Sequence, residues 1–185
     1  TGVSDCQLVI VDDLPSVADN AKNHSIEQAQ VVAVPSAIDG TSDGTNFDFY
    51  KFAGKKDQRL SLEVVGARVG SNFDSVVRLL RADGSELLLA DDDESTGADA
   101  RLSLVLPADG DYIIELHDNQ YRGGGRYRMR VGDFPLVSVP YPLGGRLGST
   151  ARFQFAGPAN GDVTPVVLRI PDEVQSGRVS VGAKY

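Results

Sequence analysis

The chain has 185 residues, room for one large domain or for an ordinary domain with a smaller companion. Hydrophobic residues make up 41% and charged residues 24%, a balance that supports a buried core and argues against an intrinsically disordered chain. With 26 acidic against 18 basic residues the net charge is −8, which disfavours nucleic acid as a partner, and no apolar run approaches the roughly 18 residues of a membrane span.

Residues 1–19 read as an N-terminal linker or strand. Thr1-Gly2-Val3-Ser4-Asp5 has neither the basic nor the apolar region of an export signal, so the chain is expected to be a mature fragment whose export signal, if any, lay upstream. Cys6, the single cysteine, has no intramolecular disulfide partner and no zinc-ligand spacing around it, and is expected to be a small residue at a strand start. The one short helix expected covers Ser25–Ala29, with Asn23 or Ser25 as its cap. A strand is expected at 31–34. Gly40-Thr41-Ser42-Asp43-Gly44 then spells the nucleophile-elbow pattern G-x-S-x-G. That chemistry needs a strand-to-helix turn and a histidine base. Another strand follows instead, and neither His24 nor His117 carries a catalytic signature, so no catalytic residues are assigned.

From residue 47 onward period-2 alternation dominates. Strands are expected at 47–53, 59–64, 75–81, 86–90, 101–106, 111–117 and 127–131. Leu60, Leu62 and Val64 point inward with Ser61 and Glu63 toward water; Leu102, Leu104 and Leu106, then Tyr127, Met129 and Val131, repeat the pattern. Asp83-Gly84, Asp109-Gly110 and Gly123-Gly124-Gly125 supply the positive φ that strand reversals need. The fold class is therefore all-β, an antiparallel β-sandwich of jelly-roll type. The Pro-rich stretch Phe134-Pro135 to Tyr141-Pro142 marks a boundary. Residues 1–134 hold 13 basic and 23 acidic residues (net −10), whereas 135–185 hold 5 and 3 (net +2). Strands at 151–155, 164–170 and 179–181 make the remainder a small second β segment.

Two acidic groups suit a calcium ion, which takes six to eight oxygen ligands. Asp91, Asp92, Asp93 and Asp99, with Glu94, place five carboxylates in nine positions; a solvated hairpin loop is the alternative. EF-hand spacing is absent there. Arg126, Arg128 and Arg130 share one strand face near Tyr121 and Arg122, a basic and aromatic stripe that suits an acidic glycan or a peptide carboxylate; pairing with Glu115 or Glu63 is the alternative. The chain has no tryptophan, which leaves Tyr121, Tyr141 and Tyr185 as exposed aromatic candidates.

Four blocks in order carry a family resemblance. They are Asn46-Phe47-Asp48-Phe49-Tyr50-Lys51-Phe52 through Leu60; Phe73-Asp74-Ser75-Val76-Val77-Arg78-Leu79 through Gly84 with Asp91-Asp92-Asp93; Gly110-Asp111-Tyr112-Ile113-Ile114; and Gly125-Arg126-Tyr127. Together they resemble the bacterial pre-peptidase C-terminal domain, with the collagen-binding domains of clostridial collagenases as close cousins. Pro142 through Thr150 resembles the start of an immunoglobulin-like IPT/TIG repeat, so the organisation expected is linker 1–19, sandwich 20–134 and partial immunoglobulin-like segment 135–185.

The resemblance implies a non-catalytic accessory module, secreted or held at the bacterial surface or in the periplasm. Such a module binds an extracellular protein or polysaccharide or targets its parent enzyme, and its partners include other domains of the same polypeptide. A structural spacer without a ligand is the alternative. In calcium-binding relatives an E-x-E-P-N segment supplies ligands; here it falls on Asp19 to Asn23, with Ala21 in place of a carboxylate and Lys22 in place of proline. The implied set is Asp19 and Asn23, completed by Ser42, Asp43 and Asp48, with calcium as the implied ion. Asp19 facing solvent and Asn23 as a helix cap is the other reading.

Overall fold

The computed structural model describes residues 8–157 and 164–173. The chain divides into two compact units, Thr1–Phe134 and Pro135–Tyr185. The first carries β1 (Ser16–Ala18), β2 (Gln30–Val31), β3 (Ser36–Thr41), β4 (Asp48–Gly54), β5 (Arg59–Val65), β6 (Ser75–Arg81), β7 (Glu86–Ala90), β8 (Arg101–Val105), β9 (Gly110–Asp118) and β10 (Arg126–Gly132). The second carries β11 (Val139–Tyr141), β12 (Thr150–Ala156) and β13 (Val166–Arg169), which form one antiparallel sheet in the order β11-β12-β13.

In the first unit two five-stranded sheets, β1-β3-β10-β5-β8 and β2-β4-β9-β6-β7, face each other as a β-sandwich. Alternation decides what lies between them. Leu60, Leu62 and Val64 of β5 and Met129 and Val131 of β10 meet Tyr50, Phe52, Val77, Leu79, Ile114 and Leu116 of the opposite sheet, and all are essentially sealed from solvent. Each such side chain contributes about 1.5–3 kcal/mol on burial. A second cluster lies on the outer face of the β4/β9/β6 sheet, where Phe49, Leu80 and Ile113 are covered by Ile26, Ala29 and Phe47.

Several expectations are corrected. The helix expected over Ser25–Ala29 is a single 3-10 turn, Ile26–Gln28, whose Ser25 N-cap makes no side-chain capping bond. The segment instead runs along the outer sheet face to bury Ile26 and Ala29, and it joins β2 directly. Asn23 caps nothing. It is fully buried, donating from Nδ2 to the Phe49 carbonyl (3.1 Å) and accepting the Phe49 N–H at its own carbonyl (2.8 Å). The strand expected at 31–34 shortens to Gln30–Val31, because the chain turns at Val34-Pro35 and crosses to the other sheet as β3. Ser61 and Glu63 are buried rather than wet: β5 is an inner strand, Ser61 donates to the Phe134 carbonyl (2.6 Å), and Glu63 accepts Arg68 and Arg130. The strand expected at 179–181, like Cys6 and Tyr185, lies outside the described residues.

Candidate functional site

The start of β4, the end of β3 and the segment before the 3-10 turn carry the first set of candidate residues, in which Asp48 and Asp19 are linked through two tyrosine hydroxyls. Asp48, 6% exposed, accepts the Tyr127 hydroxyl at 2.8 Å; Tyr127 and Tyr50 share a hydroxyl contact of 2.6 Å, and Tyr50 donates to Asp19 Oδ1 at 3.0 Å. His24 Nδ1 lies 3.6 Å from Asp48 Oδ1. Burial, then the charges of Asp19 and Asp43, pushes the Asp48 carboxyl up to about 6 although Tyr127 donates to it. Burial also pushes the Tyr50 and Tyr127 phenols far above their ordinary range, so both remain protonated donors. Asn23 points a second feature into this region: its Oδ1 is sealed from solvent and has no hydrogen-bond partner.

Ser42 and Asp43 are already engaged. The buried Ser42 hydroxyl accepts the Gly44 N–H (3.1 Å). Asp43 accepts the Asn46 and Thr45 N–H groups at 2.8 Å each and the Asn46 side chain at 2.6 Å, which holds its carboxyl well below the usual range. The G-x-S-x-G run thus begins on β3 and closes a tight acidic turn between two strands, which is not the strand-to-helix elbow that would expose a nucleophile.

The second set divides. Asp93 turns back on its own loop, accepting Ser95 (2.6 Å) and Arg101 (2.7 Å). Burial works against its charge, but Ser95 and Arg101 outweigh that and leave the carboxyl at about 2. Asp99, fully buried, accepts the Gly66, Ala67 and Arg68 N–H groups and Arg68 Nε between 2.7 and 3.1 Å. Both therefore hold the fold and leave a cation site to others. Asp91 and Asp92 stand instead with Asp74, which immediately precedes β6 and was not among the metal candidates of the sequence: one ligand oxygen from each of the three lies within 4.8 Å of the other two.

The arginine stripe is largely spoken for. Arg128 donates to Asp12 (3.0 and 3.1 Å), Asp39 (2.6 Å) and Ser16 (3.0 Å). Arg130 donates to Glu63 (2.6 Å) and lies 4.4 Å over the Phe134 ring. The alternative pairing with Glu63 thus holds for Arg130, while Glu115 takes Arg78 instead (2.9 Å). Arg122 Nε is 3.7 Å from Asp118. Arg126 is exposed and lines, with Arg128, Asn72 and Val69, an open groove of about 690 Å³. Tyr121, 60% exposed, has φ 55° and belongs to a ring stack: Phe47 to His117 at 4.0 Å, His117 to Tyr121 at 6.0 Å and Phe47 to Tyr121 at 6.3 Å. Phe47 and His117 were invisible as part of this platform because strand pairing across β4 and β9 builds it. Tyr141 of the second unit is also exposed.

The sequence family described as the bacterial pre-peptidase C-terminal domain matches residues 46–118. Three solved structures are similar in fold. The pre-peptidase C-terminal domain of collagenase from Bacillus anthracis has 14% identity over 65% of this chain and 99% of its own, with a TM-score of 0.46. The periplasmic inhibitor PliG of g-type lysozyme from Aeromonas hydrophila has 16% identity over 56% and 97%, TM-score 0.41. PliG from Salmonella Typhimurium has 19% identity over 56% and 97%, TM-score 0.39. No curated protein matches the chain. The motif blocks and the match across 46–118 agree: this stretch of the first unit is similar to the bacterial pre-peptidase C-terminal domain.

Proposed function

We propose that the chain is a secreted accessory module that binds an extracellular protein or polysaccharide, or holds its parent protein to one, and does no chemistry itself. The observation that carries this reading is the family match over 46–118, a family of non-catalytic accessory domains of exported bacterial proteins. The Phe47, His117 and Tyr121 stack is the surface best suited to a polymer, since stacked rings offer area at low entropic cost and Tyr121 is held outward. Arg126 is the arginine of the stripe that the reading retains, for an acidic group on the polymer. Among the described residues no helix is long and apolar enough to cross a membrane.

Calcium fits the first site in donor chemistry. Asp19, Asn23 and Asp48 offer only oxygen, and the buried, unpartnered Asn23 Oδ1 and the raised Asp48 carboxyl are both relieved by a cation. Asp19, Asn23 and Asp48 would hold the ion, with Ser42 and Asp43 supporting the turn beside it; a bound ion would stiffen the segment that precedes the sandwich.

Retention of the full chain on insoluble collagen, chitin, cellulose and peptidoglycan tests the binding role. Retention on one polymer, reduced at least about fivefold by Tyr121→Ala, is the expected outcome. No retention on any of them favours the second reading, a ligand-free spacer, which the commitment of Arg128 and Arg130 to internal carboxylates supports.

A further inference from the structure

The carboxylates of Asp74, Asp91 and Asp92 meet because β6 and β7 are antiparallel neighbours. Asp74 sits immediately before β6 and Asp91 immediately after β7, and the pairing of Val77 with Ala90 brings those two ends together. Asp74 is locked in place. Its N–H donates to Asp118 Oδ2 (2.9 Å), its carbonyl accepts the Asn119 N–H (2.7 Å), and its Oδ2 accepts Gln120 Nε2 (2.8 Å). Its other oxygen, Oδ1, is sealed from solvent without a hydrogen-bond partner, on a residue only 8% exposed. Asp91 Oδ1 is likewise sealed and unpartnered.

Two orphaned buried carboxylate oxygens beside a third carboxylate are costly unless a cation lies among them. Arg101 donates to Asp93 and Ser95, Arg68 to Asp99 and Glu63, and Arg122 faces Asp118, while His117, a basic group whose charge acts on Asp91, is held toward its neutral form by burial. Burial first, and then Asp92 and Asp74, push the Asp91 carboxyl up, in keeping with missing positive charge. The donors are all carboxylate oxygens and no sulfur or nitrogen is among them, which selects a hard cation over zinc or copper. Oxygens within 4.8 Å of one another match ligands about 2.3–2.6 Å from a shared calcium ion. Asp92 is exposed, so such an ion keeps water on its outer side.

We propose that Asp74, Asp91 and Asp92 form a calcium-class cation site, separate from the Asp19, Asn23 and Asp48 region, that ties the loop after β7 to the start of β6. The proposal does not depend on the first site being occupied. An affinity in the range of extracellular modules, a Kd of about 10⁻⁴–10⁻³ M, is expected.

The test is a calcium titration of the full chain, ¹⁵N-labelled and followed by amide shifts. Saturable movement of Asp74, Asp91 to Ser95 and Gln120 with a Kd in that range supports the site. So does an at least tenfold weaker response of these amides in Asp91→Asn/Asp92→Asn, with the Asn23 and Asp48 signals responding as in wild type. Asp92→Ala, an exposed position, gives the same reading should the double variant fold poorly. The proposal is overturned if the loop amides do not move, if both variants titrate as wild type, or if Asp19→Asn abolishes the loop response while leaving the protein folded.

Discussion

At the residue scale, Asp48 makes the sandwich sensitive to pH. Its folded carboxyl titrates at about 6, above its ordinary value of 3.8, because burial opposes the charged form. A raised carboxyl means the folded state holds the proton more tightly than the unfolded one. Its contribution is therefore fully present below about pH 4 and is lost as pH rises through about 6. The full effect is on the order of 2–3 kcal/mol. In calcium-free buffer, Asp48→Asn is expected to flatten this slope and to be more stable than wild type at pH 7.5 by a sizeable part of that amount. Urea melts of both proteins at pH 4.5, 6 and 7.5 check it; parallel curves across that range would assign the pH dependence to other groups. Gly40 supplies a second, steric case. A Cβ there would run into the Tyr127 ring, so β3 passes under the tyrosine only as glycine. Gly40→Ala is expected to cost about 1–3 kcal/mol and to loosen the Tyr127 to Asp48 bond, readable as a lower urea midpoint together with an upward shift of the Asp48 titration in NMR, because the Tyr127 donor holds that carboxyl down.

At the element scale the strongest single device is Asp99. The carboxylate ends the loop between β7 and β8 and accepts three successive N–H groups, Gly66, Ala67 and Arg68, at the turn after β5, with Arg68 Nε as a fourth donor. One residue thereby fixes the connection after an inner strand to the connection before an edge strand. Asp99→Ala leaves these buried donors unpaired and is expected to cost about 3–5 kcal/mol, whereas Asp93→Ala, on a more exposed loop, should cost no more than about 1–2. Guanidinium unfolding of the two variants side by side makes the comparison, and equal losses would refute it.

These two aspartates also show where sequence pattern stops being informative. β5, β8 and β10 were readable because Leu60/Leu62/Val64, Leu102/Leu104 and Tyr127/Met129/Val131 alternate with polar residues, which puts the apolar set on the face toward the opposite sheet. β3, Ser-Ala-Ile-Asp-Gly-Thr, was missed because a single strong hydrophobe, Ile38, carries its inward face. β1 is three residues long and owes its place to parallel pairing with β3. The acidic run 91–99 announced charge but not its division of labour, since which carboxylate meets Arg101, which meets the β5 turn and which meets Asp74 depends on neighbours distant in sequence. Among the first candidates, Asp19 and Asn23 came from the family resemblance and Asp48 from the loop that follows, and the hydroxyls of Tyr50 and Tyr127 link Asp19 to Asp48. The role of Tyr127 in holding Asp48 was not legible, because only the sandwich brings β10 over β4.

At the scale of the whole molecule, calcium and ordinary salt act on different things. The first unit carries a net charge of −10 over residues 1–134, so any added electrolyte relieves some self-repulsion and raises stability slightly. Ion binding as proposed at Asp74, Asp91 and Asp92, or at Asp19, Asn23 and Asp48, would add a mass-action contribution that sodium does not supply. With a Kd of about 10⁻⁴–10⁻³ M, 10 mM calcium is expected to stabilise the folded state by about 1.4–2.7 kcal/mol per site. For a chain of this size that is a rise in Tm of roughly 3–10 °C. Scanning calorimetry in 10 mM calcium chloride against sodium chloride of the same ionic strength separates screening from binding. Combined with Asp92→Ala and Asp19→Asn, it also apportions the rise between the two sites: each variant should lose its own share and keep the other. A Tm equal in the two salts would leave the acidic clusters as solvated loops and the orphaned oxygens of Asp74 and Asp91 to a shared proton.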